Sequence, residues 1–405
     1  MQAIYPRGSG AAMPRRIKSQ SHNARPTALL LGAGYCAKAM ITPLRKQGYE
    51  VLATTRNPEK AARLKSLGVT PIIYNGLINE ALKESLFGAD IILSSIPPGD
   101  NGDPFLNSLG RPLADWIPNA KWVGYLSATS VYGDRQGQWA FEDELLRPFT
   151  RRGKNRANAE IKWLETGTPV HVFRLAGIYG KGRNAFSRIK QGKARAVIKE
   201  GHVVNRIHVE DIVSVLLASI ARPNPLMIYN IADGHPTPPQ DVLNYAADLI
   251  NAQRPPQLDH ETADISDMAR SFYKETKRID CSRAGRDLGW TPKYKNYREG
   301  LMATLKAERG ETETVYLSGY IDVLKADLKS VKLALPAHIR LSQQEPDCTS
   351  FHIFQDQDLP TRFHVFETFS NSAAFRRHQD RMKNSEWATI SKNAQRHYDV
   401  IGLEN

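Results

Sequence analysis

The stretch Ala28-Leu-Leu-Leu-Gly-Ala-Gly-Tyr-Cys-Ala37, followed by Tyr49-Glu-Val-Leu-Ala-Thr-Thr-Arg56, decides how this chain folds. A short apolar run, Ala28–Leu31, enters a turn carrying Gly32 and Gly34. A helix-compatible segment starts near Tyr35, and a second apolar run, Val51–Ala53, follows. This is a βαβ unit of the usual size. Gly32 permits the tight turn, Gly34 lets the backbone approach a pyrophosphate, and Ala37 keeps the helix close to the strand. Tyr35 and Cys36 fall in the first helical turn, whose free N–H groups face the phosphates.

The end of the second strand bears on which dinucleotide is bound. NAD sites place an acidic residue about 20 positions after the glycines, where it bonds the ribose 2′-hydroxyl. Here the chain carries Thr54, Thr55 and Arg56, with Lys60 one turn further on and no carboxylate. Hydroxyls and a guanidinium suit a 2′-phosphate, so NADP(H) is expected ahead of NAD(H). The plainer alternative for Arg56 and Lys60 is the solvated start of a helix.

The same alternation continues downstream. Pro71–Tyr74 reads as a strand, Asn79–Phe87 as a helix, and Asp90–Ile96 as a strand ending in Pro97-Pro98-Gly99. Lys121–Leu126 reads as a further strand leading into Ser127-Ala-Thr-Ser-Val-Tyr-Gly133. The predicted class is α/β, a Rossmann-type doubly wound parallel sheet with its ligand at the strand C-termini. That places Ser95, Pro97, Ser127, Thr129 and Tyr132 over the cofactor. For Tyr132 and Tyr179 the alternative is simple packing of a tyrosine-glycine turn.

At 405 residues the chain suits two domains, and 41% hydrophobic content is enough for real cores. Cys36, Cys281 and Cys348 show neither metal-ligand spacing nor a disulfide framework, which fits a reducing, cytoplasmic setting without a structural metal. No apolar run approaches the roughly 20 residues of a membrane span. The net charge of +13 invites a nucleic-acid reading, but Lys and Arg are spread along the chain with no basic-aromatic module. An anionic cofactor explains part of the charge, leaving a small-molecule substrate as the expected partner. Residues 1–26 are basic and free of acidic residues, lacking the apolar core of a secretory signal. A disordered extension and an organellar transit peptide both fit, and Met13 offers a second start.

The order of motifs resembles the extended and atypical short-chain dehydrogenase/reductases, the NAD-dependent epimerase/dehydratase group. Besides the glycine turn, the matching pieces are Asp90–Gly99, Leu126–Gly133, Phe173-Arg-Leu-Ala-Gly-Ile-Tyr-Gly180, Asn205-Arg-Ile-His-Val-Glu-Asp-Ile212, Tyr229–Asp233, Lys277–Asp280 and Leu288–Pro292, over about residues 27–307. The resemblance implies that Arg174–Gly180 and His208–Ile212 shape the substrate cleft and the packing beneath it. It also implies a Tyr-x-x-x-Lys pair for proton transfer, and here the chain departs: the aligned helix places Arg152 and Arg156 at those two positions. Arginine stays protonated and cannot donate a proton near neutrality. Tyr132, Tyr179, Ser127 and Thr129 are the candidate replacements. Asp211 reads as a first-turn acid complementing a helix dipole.

After a polar segment, 308–314, the pattern resets to a β-α-β-β-α-(α)-β order, a ferredoxin-like α+β plan. Tyr320–Val323, His338–Thr349 with its Glu345-Pro346, Phe351–Asp356, Phe363–Phe369 and Ala373-Ala-Phe-Arg-Arg-His378 resemble the antibiotic biosynthesis monooxygenase domain, over about 315–405. The resemblance implies a small dimeric α+β barrel acting on quinol- or phenol-like compounds, often without metal or flavin. His338, Glu367 and His378 are the polar groups expected near its cleft, either as a base pair or as fold supports. Apolar residues on both faces of the second and third strands predict a homodimer held by 315–405. Two functions stay open: a reductase-like domain coupled to a monooxygenase-like domain, or a non-catalytic NADP(H) sensor dimerised by its C-terminal domain.

Overall fold

The computed structural model describes residues 25–265, 270, 272–309 and 314–403. The expectations for residues 1–24 and for the segment 310–313 lie outside these described residues. Seven parallel strands form the main sheet: β1 (Thr27–Leu31), β2 (Glu50–Thr55), β3 (Thr70–Ile73), β4 (Ile91–Ser94), β5 (Trp122–Ala128), β7 (Val170–Leu175) and β11 (Ile228–Ile231). Their spatial order is β11-β7-β5-β4-β1-β2-β3. Short parallel pairs join β6 (Trp139–Ala140) to β13 (Arg278–Ile279), β8 (Gly177–Tyr179) to β10 (Arg206–His208), and β9 (Ala196–Ile198) to β12 (Gln257–Asp259). The class is the doubly wound one that the βαβ signals predict.

The central strand shows why. Ala28 and Leu30 pack into one apolar cluster and Leu29 and Leu31 into another, so β1 is buried on both faces. A continuous apolar run is what such a strand requires. The helix Tyr35–Lys46 supplies Cys36, Ala37, Met40, Ile41 and Leu44 to the first cluster, a helical-period stripe on one face. The helix Arg151–Leu164 supplies Ala159 and Trp163 to the second. Strand order reverses between β1 and β4, so the crevice at their C-terminal ends is the topological switch point where ligands bind in open α/β sheets.

The C-terminal domain is a four-stranded antiparallel sheet ordered β15 (Cys348–Gln355), β16 (Arg362–Phe369), β14 (Val315–Asp322), β17 (Gln395–Ile401). Helices Leu328–Gln343, Ser372–Lys383 and Glu386–Ile390 accompany it, matching the predicted ferredoxin-like order. One face carries Val315, Leu317, Ile321, Phe363, Val365 and Phe369 against those helices. The other face does not stay open. Tyr316 and Phe366 pack into a cluster with Tyr245, Tyr297, Leu301, Met302 and Leu305 from helices Pro239–Leu249 and Tyr297–Arg309 of the first domain. The Tyr245 and Ser318 hydroxyls are 2.7 Å apart, and the Tyr245 and Phe366 rings 5.6 Å. This corrects the premise behind the expected homodimer: the second apolar face is covered within one chain. No helix among the described residues is long and apolar enough to cross a membrane.

Candidate functional site

The glycine turn closes on its own neighbours. Gly32, at φ +84°, donates its N–H to Thr54 Oγ1 at 2.7 Å, and Ser95 Oγ donates to the Gly32 carbonyl at 2.7 Å. A Cβ on Gly32 would stand 3.0 Å from Ile96, so this position needs glycine twice over. Gly34 is the N-cap of the helix Tyr35–Lys46 with no side chain satisfying the first-turn N–H groups, and a Cβ there would reach only Ser95 Oγ, at 3.5 Å. An open, cap-free helix N-terminus beside a bare backbone is the cradle a pyrophosphate needs, so the residues fit a dinucleotide.

Among the expected cofactor residues, the structure assigns different tasks. Thr54 is buried and serves the turn through Gly32; Thr55 is buried with its hydroxyl accepting from the Asn57 N–H. Arg56 and Lys60 are exposed, and Asn57 caps the following helix through the Glu59 and Lys60 N–H groups. Tyr35 is half-buried, with its hydroxyl donating to the Lys181 carbonyl at 2.9 Å and Arg183 over its ring. Cys36 and Ala37 point into the core, and burial pushes the Cys36 thiol up to about 11, so it faces the sheet rather than the phosphates. Pro97 is exposed at the lip after β4.

At the reacting end the corrections are larger. Tyr132 is completely buried, donates to Asn230 Oδ1 at 2.7 Å and accepts from Arg174 Nη1 at 2.8 Å. Burial pushes its hydroxyl up to about 12, so the packing alternative describes it and not the proton donor. Tyr179 is buried as well, its hydroxyl raised by desolvation. Ser127 is buried and hydrogen-bonded to Glu160, whereas Thr129 is half-exposed at the start of a 3₁₀ turn. Arg156, in the lysine position, donates to the Leu126 carbonyl at 2.6 Å; Arg152 is exposed.

Beneath this floor lies a buried ion pair that the sequence does not announce. Arg174 reaches Glu160 with Nε to Oε2 at 3.1 Å and Nη2 to Oε2 at 2.9 Å, both side chains no more than 3% exposed. Arg174 therefore braces β7 against the helix Arg151–Leu164, which is the packing role among the two that the resemblance implies. Asp211 sits in the first turn of the helix Val209–Ala221, as read from the sequence, and also accepts from the Lys293 N–H at 2.6 Å and the Tyr294 N–H at 3.3 Å, latching a distant loop.

In the C-terminal domain the three expected residues come together. His378 Nδ1 lies 2.9 Å from Glu345 Oε2, and its Nε2 lies 3.5 Å from Glu367 Oε2. His338 stacks on Trp387 at 4.4 Å and meets the edge of Phe351 at 5.2 Å. Glu345, which also pairs with Arg381, is the member that motif reading leaves without a role. Glu367 Oε2, His378 Nε2 and His338 Nδ1 are all buried without a hydrogen-bond partner in the protein. Desolvation, reinforced by the Glu345 charge, pushes the Glu367 carboxyl up to about 8, and desolvation holds His338 down to about 3 and lowers His378.

That arrangement has a pH consequence. A carboxyl whose folded pKa is raised keeps its proton on folding, so its contribution is complete below the unfolded value and lost as pH rises through about 8. The two depressed histidines act oppositely but only below about 6.5. Between pH 6.5 and 8.5 the stability of the C-terminal domain is expected to fall, with a limiting slope of about 1.4 kcal/mol per pH unit. Glu367→Gln should flatten that decline. Urea unfolding at several pH values checks it, and an equal slope in the variant would refute it.

A cleft of about 400 Å³ opens where the two domains meet, lined by Asp248, Arg254, Gln343, Phe351, His352 and Phe354 among others. Among the described residues, no group of three or more His, Cys, Asp or Glu is placed to hold a metal ion.

Comparison with known proteins follows the two-domain division. The model of the antibiotic biosynthesis monooxygenase family matches residues 314–388, and that of the coenzyme F420-dependent NADP oxidoreductases matches 27–112. Protein YeeZ of Escherichia coli is 28% identical over 282 residues, 65% of this chain and 95% of YeeZ. A 4-hydroxy-2-methyl-3-oxo-4-farnesyl-3,4-dihydroquinoline-1-oxide ketoreductase of Stigmatella aurantiaca is 25% identical over 51% of this chain and 67% of its own. Solved epimerases and dehydratases below 25% identity share the fold. A solved structure from Silicibacter pomeroyi, described as a conserved protein of unknown function, is 44% identical, with a TM-score of 0.66, 70% of this chain covered and 99% of that one. By that identity and coverage, the chain belongs to the family of the Silicibacter pomeroyi protein, on a short-chain dehydrogenase-like Rossmann fold extended here by an antibiotic biosynthesis monooxygenase domain.

Proposed function

We propose that this chain is an NADP(H)-dependent oxidoreductase whose Rossmann domain acts on a small oxygenated, hydrophobic compound and whose C-terminal domain acts on a phenol- or quinone-like one. The observation that carries the reading is the cap-free helix N-terminus at Gly34, set at the switch point of a doubly wound sheet. A nicotinamide nucleotide bound there supplies or accepts a hydride. The chain's own part is to hold it: Gly32 and Gly34 at the pyrophosphate, Arg56 and Lys60 at the 2′-phosphate, and Ser95 fixing the turn. The name of the F420-dependent family pairs its members with NADP, and the Stigmatella relative is a ketoreductase of a bicyclic lipid-substituted substrate. The first agrees with NADP chemistry and the second with reduction of a carbonyl.

NADPH is therefore expected to bind more tightly than NADH. Arg56→Ala should weaken NADPH by about 1–3 kcal/mol, the worth of a hydrogen bond to a charged group, and leave NADH nearly unchanged. Fluorescence titration with both cofactors decides this, and equal affinities in the native chain would refute the preference. Turnover with NADPH and a panel of quinones tests the activity itself.

A second reading, the non-catalytic NADP(H) sensor, is favoured by one observation: Tyr132 is sealed in the core while arginines occupy the Tyr-x-x-x-Lys positions. Binding of NADPH without turnover of any quinone would select it. Self-association through 315–405 belongs to either reading. With the inner sheet face taken, it has to run through the edge strands β15 and β17 or the outer helices, which sedimentation of the full chain checks.

A further inference from the structure

The Ile-Tyr-Gly180 motif runs into a turn that comes back to the glycine cradle. Gly180 and Arg183 exchange both backbone hydrogen bonds, each at 3.0 Å, across Lys181-Gly182. The turn is pressed onto Tyr35, the first residue of the helix Tyr35–Lys46. The Tyr35 hydroxyl donates to the Lys181 carbonyl, and a Cβ on Gly180 would stand 2.8 Å from that hydroxyl and 2.7 Å from Val209. Glycine alone allows so close an approach. At the end of the turn, the Arg183 guanidinium lies 5.6 Å from the centre of the Tyr35 ring and makes no ion pair among the described residues. Burial raises the Tyr35 hydroxyl and the Cys36 thiol, and at both the largest opposing influence is the Arg183 charge. A cation without a carboxylate partner thus stands beside the cap-free helix end at Gly34. The turn is also held from behind. Glu308 Oε1 accepts from the Gly182 N–H at 3.2 Å and from Asn184 Nδ2 at 2.5 Å. Glu308 lies in the last turn of the helix Tyr297–Arg309, which is anchored by buried Leu301 and Leu305. This carboxylate satisfies the turn rather than the nearby guanidinium, and the Arg183 charge stays available to an anion.

We propose that Arg183 is a pyrophosphate-binding residue, adding a charged contact to those of the Gly32–Gly34 backbone, and that Glu308 is the positioning residue for the turn that carries it. The helix end offers N–H groups and a partial charge, whereas a guanidinium brings a full positive charge in a fork that matches two phosphate oxygens. The role differs from that given to Arg56. A pyrophosphate is common to NADPH and NADH, so Arg183 serves both nucleotides and does not choose between them. The inference rests on reading the Gly32–Gly34 turn as a dinucleotide site.

The test measures dissociation constants of NADPH, NADH and ADP-ribose for the full chain by calorimetric titration. ADP-ribose carries the pyrophosphate but neither the 2′-phosphate nor the nicotinamide. Arg183→Ala should weaken all three by a similar factor, at least about tenfold, as for a hydrogen bond to a charged group. Arg183→Lys keeps the charge without the fork and should recover part of the loss. Arg188→Ala, which removes another exposed cation from the following helix, controls for net charge and should leave the three affinities unchanged. Loss of a negative charge would by itself tighten an anion, so weaker binding in Glu308→Ala reports the turn. That weakening should vanish when Arg183 is already alanine. The altered side chains are exposed, and an unchanged circular dichroism spectrum confirms the fold. Equal affinities in the native chain and Arg183→Ala, a loss confined to NADPH, or an equal loss in Arg188→Ala overturns the pyrophosphate contact. A Glu308→Ala effect of the same size in both backgrounds overturns the positioning role. A native chain that binds none of the three nucleotides overturns the dinucleotide reading and this contact with it, which separates the two failures.

Discussion

Glu160→Ala is expected to destabilise the N-terminal domain by about 3–5 kcal/mol, the cost of leaving a buried charge without its partner. Glu160 is 1% and Arg174 3% exposed, so neither charge has water to fall back on. Removing the carboxylate strips Arg174 of its bidentate acceptor and Ser127 of its hydrogen bond, leaving the guanidinium only Tyr132 and the Glu142 carbonyl. Arg174→Met should cost a similar amount from the other side, by stranding the carboxylate. The double variant Glu160→Leu with Arg174→Met removes both charges and should recover most of the loss, because well-packed apolar replacements of a buried pair are often neutral. Urea unfolding followed by the fluorescence of Trp122 and Trp163, both fully buried in this domain, measures it. A single variant costing under about 1 kcal/mol, or a double variant as unstable as the sum of the two, would refute the account.

This pair also marks where the sequence stops being readable. The helix around it runs Arg151-Arg-Gly-Lys-Asn-Arg-Ala-Asn-Ala-Glu160, and among so many charges nothing local says which one turns inward. The choice is made by Arg174 on β7, a contact across the fold. The βαβ unit, by contrast, is legible because its signals are local: apolar runs of strand length, glycines between them, and helical spacing of Cys36, Met40 and Leu44. Thr54 shows both sides at once. Its position after the glycines could be read, whereas its task, accepting the Gly32 N–H, depends on two strands lying side by side. In the C-terminal domain the His378 and Glu367 partnership follows from strand and helix order. Glu345 does not, because it sits just past a helix end and its partner lies 33 residues away.

The alternation of Tyr316, Ser318 and Phe366 tells that a second sheet face is covered, and leaves the covering element open. Since that element is the first domain, Phe366→Ala should cost about 3–5 kcal/mol, as for a buried aromatic truncated to alanine. Phe366 is 4% exposed, stacks on Phe354 at 5.7 Å and meets Tyr245 at 5.6 Å. An exposed residue on the helix Leu328–Gln343, Leu333, is the control, and Leu333→Ala should fall within about 0.5 kcal/mol of the native chain. The diagnostic comparison is with Tyr245→Ala, which lies in the other domain. If the two domains stabilise each other through this contact, each variant weakens both, and the double variant costs clearly less than the sum of the singles. Hydrogen exchange on β16 and on the helix Pro239–Leu249 reads the two domains separately in one experiment. Strict additivity, with Tyr245→Ala leaving β16 as protected as before, would mean that the domains only touch. Coupling would mean that the sheet face that would otherwise seek a second copy of the chain is held instead by the helices that flank the reductase-like fold.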